Sequence, residues 1–361
     1  MYWKFNSVST KKGAKIKMSY QEENRTTEVG QANIKVIGVG GAGNNMVSWL
    51  YKKGIRGAEI IACNTDVQHL NITESDKKFL IGKSTTHGLG CGGYPMVGAR
   101  AAEESTQQLR ESLKGSDMVF LCAGMGGGTG TGASPSIARL ATEMGAIVIG
   151  TVTMPFDIER ARIEKAEYGL KELRSHCDTV IVIDNNRLVK IAGSLPVQQA
   201  FAVANELIST MIKGIVETIS VPSLVNLDFA DVKAIMTNGG VAAIGVGVAD
   251  GSSKVKMAVN QALSNPLLDI SYKGAAGALI HIEGGPDLTL DEVSQVGELV
   301  TAEMDPDANV IWGARIKEDM KNRLIVMTIM TGVNSPWILG RSDSKARAPV
   351  KTAIRKVEDL V

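Results

Sequence analysis

The chain has 361 residues, enough for two globular domains, with 44% hydrophobic and 21% charged residues and 39 glycines. Aromatics at 4% argue against a stacking platform for single-stranded nucleic acid, and four scattered cysteines and four scattered histidines give no metal-ligand spacing. With no signal-peptide stretch and no run near the ~18 apolar residues of a membrane span, a soluble cytoplasmic protein is expected.

The net charge of +1 hides an asymmetry, because residues 1–30 and 341–361 each carry six Lys/Arg against three acidic residues. That leaves 27 basic and 32 acidic residues in between. Basic ends suit an anionic membrane, an acidic partner or plain solvation. Residues 1–31 are polar and aperiodic and are predicted as a flexible extension. Strand and helix patterns then alternate: strand Ile34–Val39, helix Asn44–Lys53, strands Glu59–Cys63 and Phe79–Ile81, and one helix over Val97–Leu113. Strand Met118–Ala123, helix Ala133–Met144, strand Ala146–Thr153, helix Ile158–Ser175 and strand Thr179–Asp184 follow. Such interleaving predicts a Rossmann-like parallel sheet covered on both faces, over residues 32–195.

Pro196 opens a long apolar-periodic segment, Val197–Ser220, read as a central helix over 196–222. Strands Val241–Val248, Ala275–Ile282, Asn309–Ala314 and Leu324–Thr331, with helices Val255–Leu263 and Asp291–Met304, make a smaller α+β domain over 223–333. Residues 334–361 form a basic tail, in which a short amphipathic helix over Val350–Leu360 and a disordered tail are both open.

Two glycine-rich segments carry the chemistry. Gly38, Gly40 and Gly43 satisfy GxGxxG after the first strand, a pattern that lets backbone amides approach a diphosphate at a helix N-terminus. A dinucleotide site also needs an acidic residue about 20 positions on. Asp66 comes 28 residues after Gly38, too late for that role. The second segment, Gly124 to Gly132, lies between a buried strand and a helix. Gly126, Gly127, Gly128, Thr129, Gly130, Thr131 and Gly132 read GGGTGTG, with little side-chain bulk to keep amides from phosphate oxygens and two hydroxyls to add donors. No GxxxxGK[ST] P-loop occurs.

This GGGTGTG run resembles the signature of the tubulin/FtsZ family in its FtsZ form, and the likeness extends from about Ile34 to Val333. Gly40, Gly41, Ala42, Gly43, Asn44 and Asn45 resemble the family's first nucleotide loop. Asn64-Thr65-Asp66 resembles the next contact loop, and Gly88 to Gly93, with Gly90, Cys91 and Gly92, resembles the loop that senses the γ-phosphate. The resemblance places Pro155, Phe156, Glu159, Asn185, Phe201 and Asn205 around ribose and guanine, Phe201 stacking on the base and Asn205 bonding its edge. It implies GTP/GDP as cofactor, with nucleotide-associated Mg²⁺ and K⁺ as a second candidate cation. Two features depart from the common pattern: Tyr94 stands where most relatives have asparagine before Pro95, and the segment after Glu159 is one residue shorter than the bacterial form. Arg160 and Arg162 are therefore both candidates for the nucleotide-contacting arginine, with Arg162 favoured. Glu-Arg-Ala-Arg and Asp184-Asn185-Asn186-Arg187 look more like an archaeal FtsZ paralogue than a bacterial one.

Asn226, Asp228 and Asp231 lie just past the long helix. An Asp-x-x-Asp pair is an ordinary helix cap. The resemblance also identifies this loop as the catalytic loop supplied in trans, with Asp228 and Asp231 orienting or deprotonating water and Asn226 positioning it. It then implies a head-to-tail homopolymer acting in cell division, with a membrane adaptor or division protein engaged by the tail. A slowly hydrolysing cell-shape protein and an NAD-dependent oxidoreductase are the alternatives.

Overall fold

The computed structural model describes residues 32–333, apart from residues 222, 223, 226, 238 and 265–271. The expected N-terminal extension, the basic tail and Asn226 lie outside the described residues. β1 (Ile34–Val39) leads straight into α1 (Gly40–Lys53), and β2 (Ala58–Asn64) is followed by α2 (Val67–Ile72) and β3 (Lys77–Leu80). After α3 (Lys83–Thr86) come α4 (Pro95–Glu104), α5 (Thr106–Leu113), β4 (Met118–Gly124), α6 (Thr129–Glu143) and β5 (Ile147–Met154). A 3-10 turn at Asp157–Glu159 precedes α7 (Ala161–Arg174), β6 (Thr179–Asp184) and α8 (Asn185–Ala192). The central helix α9 spans Val197–Ser220, and α10 spans Phe229–Met236. β7 (Gly240–Asp250), α11 (Lys254–Leu263), β8 (Gly277–Gly284), α12 (Leu290–Thr301), β9 (Asn309–Ile316) and β10 (Arg323–Thr331) complete the described chain.

The strand order is β3-β2-β1-β4-β5-β6-β7-β10-β8-β9, parallel from β3 through β7. β10 runs antiparallel to both β7 and β8. Alternate residues of β1 feed opposite faces, as a parallel sheet covered on both sides requires. Ile34 and Val36 pack in a core with Leu50 of α1 and Ile208 and Ile212 of α9. Ile37 and Val39 pack in a second core with Leu109, Ile137 and Leu173 of α5, α6 and α7.

Four helices depart from the sequence expectation. α1 and α6 begin four residues early, inside their glycine segments, because glycine lets the chain turn at the strand exit and start the helix at once. The helix expected over Val97–Leu113 is two helices. The break is at Ser105, whose amide reaches back to the carbonyls of Ala101 and Ala102 while its hydroxyl accepts from Gly82 N at 2.9 Å. The helix expected from Ile158 starts only at Ala161, because Arg160 adopts φ +26° between the 3-10 turn and α7.

α9 packs against α1 and extends beyond it. Phe201, near its start, meets Phe156 beyond the end of β5, with ring centroids 5.9 Å apart. Glu206 accepts from Trp49 Nε1 at 2.8 Å and pairs with Lys53, and Ser220 at the far end donates to Gly57 O, just before β2 begins. The helix thus spans the sheet from the C-terminal to the N-terminal ends of its strands.

Arg315 of β9 fastens the far end of α9. Its guanidinium donates to Glu217 O at 2.9 Å and Val221 O at 3.0 Å, carbonyls of the last helical turn, and meets Glu283 at 3.1 Å. These contacts satisfy helix-end acceptors with a cation, where the helix dipole favours one. Arg315→Met removes two helix-end hydrogen bonds and one of the cations facing the buried Glu283 charge, and is predicted to cost about 3 kcal/mol in urea unfolding. Burial alone would raise the Glu283 carboxyl, but the His281 imidazole 3.5 Å away, the hydrogen bond from Lys317 and the Lys317 charge outweigh it and hold the group at about 2. A carboxylate lowered in the folded state contributes stability above its ordinary 4.5 that is lost as pH falls toward 2. Unfolding free energy measured across that window is predicted to drop in the wild type, and to drop less steeply in Glu283→Gln.

Candidate functional site

The two glycine segments meet between β1 and β4, where the strand order reverses and an open parallel sheet leaves a crevice at the carboxyl ends of its strands. Gly40 turns the chain out of β1 at φ +71°, and a Cβ there would lie 2.8 Å from Gly130 N, so only glycine allows the two loops to touch. Gly126 repeats the device at φ +95°, with the Arg162 carbonyl 2.8 Å from where a Cβ would stand. Neither α1 nor α6 has a side-chain N-cap hydrogen bond or an acidic residue in its first turn. Two uncapped helix N-termini side by side, with aligned dipoles and open amides, form an anion site suited to linked phosphates. Gly41, Ala42 and Asn45 are exposed on the first turn of α1.

Several side chains expected to meet a ligand instead brace the loops. Asn44 is fully buried. With its amide oriented to satisfy its neighbours, it donates to Gly38 O and Cys63 O and accepts from Asn64. Asn64 Oδ1 in turn accepts from the amides of Thr65 and Asp66 at 2.9 and 3.2 Å, and Asp66 caps α2 by accepting from Gln68 N and His69 N. The hydroxyls of the second loop, expected to add donors to a phosphate, are engaged within the protein. Thr131 Oγ1 accepts from Gly126 N at 2.9 Å, and Thr129 Oγ1 bonds Thr65 Oγ1 at 2.7 Å. Cys91 Sγ lies 3.3 and 3.4 Å from the same two hydroxyls. Thr65, named in the sequence only as the middle of the Asn64-Thr65-Asp66 loop, ties together the loops after β2, before α4 and before α6. Burial pushes the thiols of Cys63 and Cys122 up to about 12, so both are neutral core groups.

On the other side of the crevice, buried Pro155 leads into the 3-10 turn, where Glu159 accepts from Phe156 N at 2.9 Å and from Arg162 Nη1 at 2.7 Å. Arg162 opens toward solvent beside Gly126; Arg160 is taken up by the backbone turn into α7. Asn185 begins α8, capped by Asp184. Phe201 is 43% exposed, and Asn205 sits one helical turn further along α9. Gly90, Gly92, Gly127 and Gly128 complete the rim, with Gly128 packed against Cys91, whereas Gly132 is buried against Pro95 of α4. All these positions gather at the carboxyl edge of the sheet.

Asp228 and Asp231 do not. They form a reciprocal capping box at the start of α10: Asp231 N donates to Asp228 Oδ1 at 2.8 Å, and Asp228 N to Asp231 Oδ2 at 3.4 Å. The box lies beyond the far end of α9. A 24-residue helix is about 36 Å long at 1.5 Å per residue, so these carboxylates stand far from the glycine loops of their own chain.

Residues 33–193 match the model of the Tubulin/FtsZ family, GTPase domain, and residues 240–334 that of the FtsZ family, C-terminal domain. The chain is 56% identical over 323 residues to cell division protein FtsZ 2 of Methanocaldococcus jannaschii, covering 89% of this chain and 85% of that protein. It is 48% identical over 336 residues to cell division protein FtsZ 2 of Haloferax volcanii, covering 93% and 84%. Among solved structures, an FtsZ dimer from M. jannaschii superposes with a TM-score of 0.78 at 47% identity, covering 84% of this chain and 88% of that one. A CetZ2 protofilament protein from H. volcanii shares the fold at TM-score 0.72 and 22% identity, covering 91% and 98%. The two family models cover most of the chain, the curated relatives match nearly all of it, and the crevice is built as a phosphate site: the chain belongs to the tubulin/FtsZ family of GTPases.

Proposed function

We propose that this chain binds GTP at the α1/α6 crevice and hydrolyses it only when a second copy stacks head to tail and supplies Asp228 and Asp231. The observation that carries the reading is the separation of the two halves of the chemistry. The crevice offers amides, helix dipoles and a stacking ring, but its acidic groups are tied up: Asp66 caps α2 and Glu159 pairs with Arg162. The acidic box stands at the opposite end of α9. A copy stacked with its acidic end on the crevice would bring a carboxylate to orient or deprotonate the attacking water, the group that hydrolysis still lacks.

The surface supports such stacking. Leu89, Tyr94, Met96 and Ile158 are exposed around the crevice, and Leu224 is exposed beside the acidic box. A contact between unlike surfaces that does not close on itself builds an open filament. Within the crevice, Phe201 would stack on the base and Asn205 bond its edge, while Arg162 would reach the phosphates across Gly126. The glycine loops carry no basic side chain, so a phosphate-bridging Mg²⁺ is the natural partner for the remaining charge. Asn226, outside the described residues, would position the water. The names of its relatives, cell division proteins, support a role for such filaments at the division site.

Asp231→Asn keeps an amide oxygen for the capping box but removes the charge. It is predicted to bind GTP like the wild type while its hydrolysis rate falls about a hundredfold or more. Added to wild type, it is predicted to lower the activity per wild-type molecule, because mixed filaments contain dead interfaces; strictly additive rates would point to a self-contained site. Phe201→Ala is predicted to weaken GTP and GDP equally, by about 1–3 kcal/mol in a binding titration, since the base is common to both.

A further inference from the structure

The loop from Gly88 to Tyr94 has few anchors of its own. Gly88, Gly90, Gly92 and Gly93 all have positive φ, and Cys91 is the loop's one buried side chain before Tyr94. Its first half is tied down by Gly90 N donating to Thr65 O at 3.1 Å and by the Cys91 contacts to Thr65 and Thr129. Its second half closes in a turn, with Tyr94 N donating to Cys91 O at 3.0 Å, and is held from outside by Lys165 of α7. The ammonium donates to Gly93 O at 2.8 Å and sits 5.5 Å from the centre of the Tyr94 ring. Both contacts use one cation.

The placement of Lys165 matters as much as its contacts. It lies one helical turn after Arg162, whose backbone abuts Gly126 of the second glycine loop. The first turns of α7 therefore touch both the loop at the α6 N-terminus and the loop of residues 88–94. Tyr94, the residue that departs from the family pattern, is 64% exposed and gains nothing from burial; its partner is the Lys165 charge.

We propose that Lys165 is a positioning residue for GTP: it clamps the 88–94 loop in place before nucleotide arrives, with Tyr94 as the second jaw of the clamp. The inference rests on the reading that this loop faces the γ-phosphate. A loop ordered in advance costs the ligand less entropy on binding. The saving goes to a triphosphate that uses the loop and not to a diphosphate that does not reach it. Lys165 thus sets the preference for GTP over GDP without touching either base or ribose.

The test uses the full chain as wild type, Lys165→Met, Lys165→Arg and Tyr94→Ala, with two readouts. Amide hydrogen exchange over residues 88–94 in nucleotide-free protein reports the clamp alone. Titrations with a slowly hydrolysed GTP analogue and with GDP report its coupling to the nucleotide. The expected result is faster exchange in Lys165→Met and Tyr94→Ala, with analogue affinity about tenfold weaker in Lys165→Met and GDP affinity unchanged. Lys165→Arg is expected to restore both, since a guanidinium can bond the carbonyl and stack on the ring. Unchanged exchange in Lys165→Met would overturn the clamp itself. Faster exchange with both affinities unchanged would overturn the positioning role and trace the failure to the reading of the loop as the γ-phosphate contact. Equal weakening of both nucleotides would overturn it as well, marking Lys165 as part of the general framework of the site.

Discussion

Two helix N-termini brought within touching distance form the constraint on which this structure depends. Because the sheet places β4 beside β1, the loops that leave those strands are neighbours, and Gly40 reaches Gly130 with no side chain between them. Aligned peptide dipoles and unpaired amides at that point favour an anion before any charged side chain is considered. The surrounding polar side chains answer to this arrangement. Asn44, Asn64, Thr129 and Thr131 spend their hydrogen bonds holding the loops in place, so that the backbone is free to do the binding.

The second organising element is α9. It is anchored near the crevice by the contact of Phe201 with Phe156 and along α1 by Glu206, and at its far end by the Arg315 guanidinium on its terminal carbonyls. A strut so fastened fixes the distance between nucleotide loops and acidic box within one chain. The proposed division of binding and catalysis between its two ends makes assembly the condition for hydrolysis.

Much of this was legible in the sequence because it rests on patterns that local chemistry enforces. The buried runs Ile34–Val39 and Thr179–Asp184, and the apolar period from Val197 to Ser220, appear in the structure with the same bounds. Glycine runs between a buried strand and a helix also have few uses other than close backbone approach. What escaped depends on contacts distant in sequence. Ser105 looks like any helical serine until Gly82, 23 residues earlier, takes its hydroxyl. The loop threonines look like ligand donors until their partners Thr65 and Gly126 are in view. Lys165 gives no local signal at all, and Tyr94 stood out only as a departure from the common pattern. The Asp228/Asp231 pair is a helix cap in geometry, as its spacing alone suggested, and its proposed chemistry depends on a neighbour.

The central claim is that one subunit completes the site of another. The most direct test is GTP turnover per molecule, with Mg²⁺ present, over a range of protein concentrations spanning the onset of light scattering. A shared site predicts negligible turnover below a threshold concentration, then a rise in rate per molecule that coincides with assembly. A rate per molecule that stays constant from dilute monomer to assembled protein would contradict the account, and would place the whole of the catalytic machinery within a single chain.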